Sequence, residues 1–410
     1  MLFRGLRAKG TLELFAASCS GLGCAAALIS IVAGQLTPWW ALVVLPLGIL
    51  NAIEVIGYFA YLPVAEKPYI LRSARSGADA DGEQQGEDGR RGALCWQLET
   101  GGAVKESSPA VVDGTVFVGS WNYLLWAVDA ASGEERWRFR TGGVVSASPA
   151  VADGTVYIGS WDKCLYAVDA VSGRERWRFR TNGLLRSTPV AVDGMVLFGG
   201  NDGLFRAVDA ASGEARWQTG VGKGVVSSPT VAGNLVYVGS NNGVLWALDT
   251  ASGQVRWRLK THSGLWSSPV VADGLLYVGS ADWHLWAVET ATGQVRWKLP
   301  AGTWVKSTPA VAHGLVYFGT GDGYLWAVDA VTGERRWRHK VGVWVRWAPL
   351  VANGTLYVGT NDGRMVARDA VSGEERWTAE TGSPVFSTPA VADGVLYFGL
   401  QNGRLLGVRA

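Results

Sequence analysis

Methionine, cysteine and histidine are scarce in this chain, with 3, 4 and 4 residues among 410. The cysteines, Cys19, Cys24, Cys95 and Cys164, form no CxxC, no CxxCH and no adjacent pair, and two of them lie in an apolar N-terminal stretch. That spacing excludes a disulfide framework, a covalently attached haem and a thiolate metal site. His262, His284, His313 and His339 are scattered without an HxxxH or a His/Cys cluster, so no transition-metal site is expected. Charge of one sign is missing as well. With 37 basic against 35 acidic residues the net charge is +2, and no clustered basic surface argues for nucleic acid. What the chain has in quantity is glycine (55) and tryptophan (21), within a 48% hydrophobic composition. Glycines among β-forming residues suggest short strands joined by tight turns.

The N-terminal segment reads differently. Residues 14–33 run without a charge for about the length of a membrane-spanning helix. A short link containing Trp39 and Trp40 follows, where interfacial aromatics are expected. Residues 41–62 form a second apolar run, broken by Pro46, Asn51 and Glu54. A carboxylate within hydrocarbon is costly, so Glu54 is expected to snorkel or to pair with the first helix. Residues 1–72 are therefore read as a membrane anchor of two helices. A cleaved signal peptide or a lipidated cysteine fits less well, because the apolar run continues past Cys24 and Glu13 precedes Cys19. Arg4, Arg7 and Lys9 flank the first span, and Lys67, Arg72 and Arg75 follow the second. The positive-inside rule places both flanks in the cytoplasm, and the following domain on the cytoplasmic side of the inner membrane. If only one run crosses, that domain is extracytoplasmic. Residues 73–92, polar and glycine-rich, read as a disordered tether.

From residue 93 the chain repeats. Tryptophans stand at 96, 137, 177, 217, 257, 297, 337 and 377, and prolines at 109, 149, 189, 229, 269, 309, 349 and 389, the prolines at an unvarying spacing of forty. Such a period signals a repeat architecture. In one unit, "SPAVADGTVYIGS" holds two strands around Asp153-Gly154, "LYAVDA" a third, and "SGRERWRFR" a fourth. Four antiparallel strands without a helix describe a propeller blade. The last unit ends after its third strand at "LLGVRA", while "ALCWQLET" (93–100) is a tryptophan strand with nothing before it. The predicted fold is thus all-β: an eight-bladed β-propeller over 93–410, closed by its N-terminal strand, behind a two-helix transmembrane hairpin (about 14–33 and 41–62).

The phrase Ala-x-Asp-x-x-[Ser/Thr]-Gly-x-x-x-Trp, as in Ala167, Asp169, Gly173 and Trp177, resembles the tryptophan-docking motif of pyrroloquinoline-quinone-like eight-bladed propellers. The resemblance covers 93–410 and implies that Trp96, Trp137, Trp177, Trp217, Trp257, Trp297, Trp337 and Trp377 pack between neighbouring blades. Glu289 replaces the aspartate once, and Arg409 stands there in the truncated copy. One branch of the family comprises quinone-dependent dehydrogenases; the BamB-like branch is non-catalytic and offers its surface to partner proteins. The dehydrogenase branch implies an adjacent cysteine pair, calcium ligands and long insertions, none of which this sequence has. No base stands beside a nucleophile either. The expectation is a membrane-anchored, non-enzymatic scaffold or sensor that binds a protein or peptide, with no cofactor, metal or nucleic acid. The alternative is a small-molecule or quinone-binding protein derived from a dehydrogenase.

Several motifs imitate sites. "GVGKG" (220–224) lacks the Ser/Thr and the helix of a phosphate loop, and reads as a turn between blades. "NDG" (201–203, 361–363) and "GDG" (321–323) read as turns rather than calcium loops. Arg136, Arg176, Arg216, Arg256, Arg296, Arg336 and Arg376 recur in all seven unbroken copies and suit packing or surface ion pairs. A site needs asymmetry, so the informative positions are those where the copies disagree. Three residues before each proline stand Glu106, Ser146, Arg186, Val226, Trp266, Lys306, Arg346 and Phe386; five before stand Val104, Val144, Leu184, Gly224, Gly264, Trp304, Trp344 and Pro384. The residue between is aliphatic except in the first copy, where an insertion shifts it. Alternation puts the two variable positions on one side, ringing a mouth of the channel. There Trp266, Trp304, Lys306, Trp344, Arg346, Trp347, Arg186 and Phe386 are the candidate partner-binding residues. Trp347 stands out because every other copy has serine or alanine at that place.

Overall fold

A computed structural model describes residues 91–410 and four short strands upstream, Arg7–Ala8, Thr11–Leu14, Ile29–Ile31 and Ile70–Ser73. The chain divides into two compact units, Met1–Val64 and Ala65–Ala410. In the first, the three short strands pair antiparallel in chain order. The two helices expected over about 14–33 and 41–62 fall outside the described residues, apart from Leu14 and Ile29–Ile31, which lie in strands. Of the tether, 74–90 lies outside them too. Among the described residues no helix is long and apolar enough to cross a membrane.

The second unit is the propeller. Eight antiparallel sheets follow one another, each ordered from its first strand to its fourth. Blade two shows the logic. Its short inner strand Ala150–Ala152 turns into Thr155–Gly159 through Asp153 (φ 47°) and Gly154 (φ 67°). Two successive positive φ values make the primed turn that matches strand twist, which is why Asp-Gly recurs there. The second strand is wholly buried, and the fourth, Glu175–Arg180, alternates exposed and half-buried side chains. Gly203, Gly323 and Gly363, the last residues of the other three turn motifs, also sit at positive φ, and 220–224 ends a fourth strand and enters the crossing to the next blade.

The recurrent arginine is placed by a bulge. Ala167 pairs with Trp177 and Val168 with Glu175, leaving Arg176 as the extra residue between. So aimed, its guanidinium donates to Asp169 Oδ2 (2.7 Å) and Thr155 Oγ1 (2.6 Å). The other oxygen of Asp169 accepts the backbone N–H of Ser172 at 2.7 Å. The arginine and these amides hold the Asp169 carboxyl well below the usual carboxylate range. Glu289 meets Arg296 at 3.4 Å in the blade that lacks the aspartate.

Each docking tryptophan joins two blades. Trp137, Trp177, Trp217, Trp257, Trp297 and Trp337 donate Nε1 to a carbonyl of the following blade at 2.8–3.1 Å. Their rings lie on that blade's motif glycine: a Cβ on Gly173 would meet Trp137 at 2.7 Å. In four blades a tyrosine on the second strand, Tyr157, Tyr237, Tyr277 or Tyr397, doubles the clamp. The Ala210 carbonyl accepts both Trp177 Nε1 (3.0 Å) and Tyr157 OH (3.3 Å). Eight apolar clusters fill the spaces between blades in this way.

Closure follows the expected route. Leu94–Glu99 is the fourth strand of blade eight, paired with Arg404–Arg409, and Trp96 Nε1 reaches the Ala130 carbonyl of blade one at 2.9 Å. One feature was not legible in the repeats. Ile70–Ser73 adds a fifth strand outside Glu375–Glu380 of blade seven, with Ala379 opposite Leu71. That strand reads "ERWTAE", with Thr378 and Ala379 where four other blades have Arg or Lys followed by Phe or Leu, and Trp377, Thr378 and Ala379 are buried. Over the paired stretch 377–380 only Glu380 is charged, whereas blades one, two, four and five place a long cation after the docking tryptophan, which discourages pairing.

Candidate binding rim around the propeller axis

Between blades the chain crosses inward through an irregular stretch that ends at each proline. In these crossings the expected alternation holds. Val145, Leu185, Val225, Leu265, Val305, Val345 and Val385 are buried, and most of their neighbours on either side are partly exposed. Each buried aliphatic wedges against a glycine ending a second strand; a Cβ on Gly159 would meet Leu185 Cβ at 2.8 Å. In the first copy Val104 takes the wedge, against Gly399. Val104 is thus a framework residue, and Lys105 and Glu106 (φ 71°) supply the variable side chains.

Just before the prolines, hydroxyls link the crossings around the axis. The backbone N–H of Ser108 donates to Ser148 Oγ (2.8 Å), Thr188 to Ser228, Ser228 to Ser268, Ser268 to Thr308, Ala348 to Thr388, and Thr388 to Ser108 (3.0 Å). This belt explains the Ser/Thr before proline and leaves the variable positions free to differ.

The variable side chains meet across blades in three groups. Lys306 Nζ lies 3.7 Å from the Trp266 ring centre and 4.9 Å from that of Trp304, and Trp304 meets Trp344 edge-on at 6.0 Å. Arg346 lies over Trp347, which meets Phe386 at 6.3 Å, and Lys105 Nζ is 5.1 Å from the Phe386 ring. Arg186 holds Glu106 through both carboxylate oxygens, at 3.0 and 2.9 Å, spanning the whole of blade two. Such a reach is possible only close to the axis, and Ser146 is small enough to be bridged. Trp344 is the most exposed of these at 38%, whereas Phe386 is 5% exposed and serves as a wall rather than a free contact.

Electrostatics centre on Lys105. Burial pushes its ammonium below the ordinary lysine value; Glu106 opposes this, while Arg346 and Arg186 add to it.

Residues beyond the sequence-based candidates complete the rim. The turn from second to third strand begins at Trp121, Trp161, Asn201, Asn241, Ala281, Gly321, Asn361 and Gln401, each backbone N–H bonded to its blade's crossing. Side chains here lean toward the axis: Trp121 Nε1 donates to the Lys105 carbonyl (3.0 Å), Trp161 Nε1 to Ser146 Oγ (2.9 Å), and the two rings meet at 5.5 Å. Arg186 lies over Trp161. At Gly321 a Cβ would strike the Trp304 ring. Asn241 Oδ1, Asn361 Oδ1, Gln401 Oε1 and Trp347 Nε1 are buried and find no hydrogen-bond partner among the described residues. The signal for this position was available, since it also differs from copy to copy. Among the described residues no three His, Cys, Asp or Glu side chains come together as metal ligands.

The sequence profile of the family described as outer membrane protein assembly factor BamB matches residues 85–222, 165–268, 261–343 and 342–410. The chain belongs to this BamB family. Among solved structures, BamB from Moraxella catarrhalis is similar with a TM-score of 0.67 and 19% identity, over 78% of this chain and 99% of that one. Quinohemoprotein alcohol dehydrogenase from Comamonas testosteroni has a TM-score of 0.67 and 17% identity, over 77% and 76%. A computationally designed protein, Ika8, has 0.68 and 17%, over 76% and 98%. At these identities the likeness is one of fold. No curated protein sequence matches significantly.

Proposed function

We propose that this BamB-family chain is a membrane-anchored, non-enzymatic propeller that docks a protein or peptide partner at the axial rim. The observation that carries the reading is the placement of exposed Trp344 with Trp304, Lys306, Arg346 and Trp347 on adjacent blades, on a framework that asks for none of them. Other blades hold Val144, Ser146 and Ala147 at the same places. Tryptophan and arginine grouped at the centre of a surface are the usual anchors of protein interfaces. The family's quinone-dependent relatives motivate a second reading, a quinone-binding site. Two of the rim's ring pairs support it less than they support docking: Trp121 and Trp161 meet at 57°, and Trp304 and Trp344 at 75°, so neither pair is parallel as a sandwich around a flat cofactor would be.

The test is capture from membranes by the full chain, compared with its W344A/R346A/W347A variant. A partner held by the parent chain and lost by the triple variant at unchanged melting temperature supports the reading. Losing one anchor costs about 2 kcal/mol or more, so two such losses weaken binding roughly a thousandfold if they add. Equal capture by both proteins refutes rim docking, and quinone-dependent dye reduction by the purified chain refutes the non-enzymatic reading.

A further inference from the structure

We propose that the face of the propeller carrying the crossings rests on an anionic phospholipid surface, which its outer collar meets with Tyr123, Trp283 and a run of basic side chains. The proposal does not rest on rim docking and uses none of the cations around the axis.

The collar breaks a backbone rule that the other blades keep. The last residue of the turn between second and third strands is Gly203, Gly243, Gly323, Gly363 or Gly403 in five blades, all at positive φ. In blades one, two and five it is Tyr123, Lys163 and Trp283, held at φ 73°, 72° and 72°. A residue with a Cβ is disfavoured in this region. At Gly203 and Gly323 a Cβ would also strike the carbonyl oxygen of Gly222 or Gly342. Glycine therefore suffices for the turn, and the three exceptions are not framework residues. Nor are they packed: Tyr123 is 41% and Trp283 57% exposed, and Lys163 is exposed as well. Strain kept for exposed side chains points to a contact outside the fold.

The carbonyls of Tyr123, Lys163 and Trp283 accept the N–H of Thr141, Thr181 and Ala301 at 2.8–2.9 Å, so the turn and the end of strand four form one outer corner. Strand four brings Arg140, Arg180, Lys260 and Lys340 to these corners, and Lys223 follows its end in blade three; all five are exposed. Arg140, Lys163, Arg180 and Lys223 meet no carboxylate among the described residues. The aspartates of the same turns are occupied. Asp202, Asp322 and Asp362 pair with Arg206, Arg338 and Arg364 at 2.6, 2.9 and 2.6 Å, and Asp162 accepts the Gly142 N–H and the Tyr166 OH at 2.7 and 2.6 Å. Asp282, its side chain 6% exposed, faces His262 and His284. In blades seven and eight strand four ends on Glu380 and Glu99, so the basic arc runs from blade one to blade six.

At the other end of the same strands the sign reverses. Asp113, Asp153, Asp193, Asp273 and Asp393 stand in the exposed turns between first and second strands. Glu134, Glu214, Glu334 and Glu374 precede strand four, with Arg174 the one cation at that position. The propeller is thus polarised across its thickness, and an anionic plane orients it with the collar inward. A peptide touches one corner of a collar spread over six blades, whereas a flat surface touches them together. Tyrosine and tryptophan beside lysine and arginine are the side chains that settle at the headgroup layer.

The full chain is added from detergent to vesicles of phosphatidylcholine alone, or of an equal mixture with phosphatidylglycerol, and backbone hydrogen exchange is followed. Exchange of 121–123, 161–163 and 281–283 should slow by about tenfold or more on the anionic vesicles only, and recover at about 500 mM salt. The turns at 113–114 and 153–154, on the opposite face, should not change. R140Q/R180Q/K223Q should remove most of the protection, since each cation lost weakens attraction to the surface about fivefold. Trp283→Gly, which installs the residue of the other blades, should weaken protection while leaving the melting temperature within about 2 °C of the parent or above it. Equal exchange on the two kinds of vesicle, protection of the opposite-face turns, or indifference to R140Q/R180Q/K223Q overturns the proposal. So does the same protection from an oligothymidylate in place of anionic vesicles, which would make the collar a nucleic-acid surface.

Discussion

Replacing Trp96 by alanine perturbs the one blade whose strands come from both ends of the propeller sequence. Trp96 is 8% exposed, meets Tyr397 at 5.7 Å, and lies on Gly133 of the next blade and Gly407 of its own. Both glycines lack the Cβ that could collapse into the vacated space, so the cavity persists. Truncating a buried tryptophan costs about 3–5 kcal/mol. The hydrogen bond moderates this figure. The Ala130 carbonyl accepts Tyr397 OH at 3.1 Å as well as Trp96 Nε1, so the variant leaves no orphaned acceptor and belongs in the lower half of that range. At about 2 °C per kcal/mol for a domain of this size, the melting temperature should fall by roughly 6–8 °C. The assay is thermal unfolding of the full chain by near-ultraviolet circular dichroism, with Trp344→Ala as the comparison. Trp344 is far more exposed and should change melting by about 2 °C at most. A Trp96→Ala protein that melts within about 1 °C of the parent would refute the closure argument. So would loss of only a small, separate transition, because a closed ring unfolds as one.

Three further outcomes follow from the same structure. Acid should destabilise the propeller late: Asp249 is held at about 2 chiefly by Arg256, and Asp329 and Asp369 at about 2 by backbone amides and Arg336 and Arg376. A folded value below the unfolded one, about 4, stabilises above pH 4 and is lost toward pH 2, so melting temperature should stay flat down to about pH 4.5 and then fall, less steeply in Asp249→Asn. Leu71→Pro should unseat the fifth strand of blade seven and raise hydrogen exchange in Glu375–Glu380 without touching the corresponding strand of blade two; uniform exchange across blades would contradict this. A reporter active only outside the cytoplasm, fused after Ala410, should stay silent; activity there would overturn the proposed orientation.

The fold was legible because each blade must solve the same packing problem, so the solution is written eight times. The spacing of Trp177 from Ala167, Asp169 and Gly173 encodes an indole on a glycine, a carboxylate that closes a turn and an arginine lifted by a bulge. None of these depends on anything distant in the chain except the next copy. The fifth strand of blade seven was not legible for the opposite reason. Its cue, the small uncharged pair Thr378 and Ala379, occurs once, and its partner Ile70–Ser73 lies outside the repeat, where the stretch read as anchor meets the stretch read as tether.

The rim was half legible. Disagreement between copies marked Arg186, Trp266, Trp304, Lys306, Trp344, Arg346, Trp347 and Phe386, and the crossings do bring these side chains into contact across blades. A linear pattern, however, reports position and not reach. It counted Phe386 as a contact when the fold makes it a wall, and it passed over Trp121 and Trp161, whose turns follow the crossings by two strands in sequence and lie beside them in space. It also assigned Val104 to the variable set, because one inserted residue before Pro109 moves the wedge back by one. That insertion has a chemical result. It gives the first crossing two variable side chains in succession, Lys105 and Glu106, where every other crossing has its aliphatic wedge in place of the first. The lysine is thereby half-buried within the fields of Arg186 and Arg346, and the carboxylate comes within reach of Arg186. The strongest electrostatic feature of the rim thus arises at the one place where the forty-residue rhythm slips. Restoring the rhythm by deleting Lys105 should remove that feature while keeping the Val104 wedge, which makes the slip itself the element to test for function.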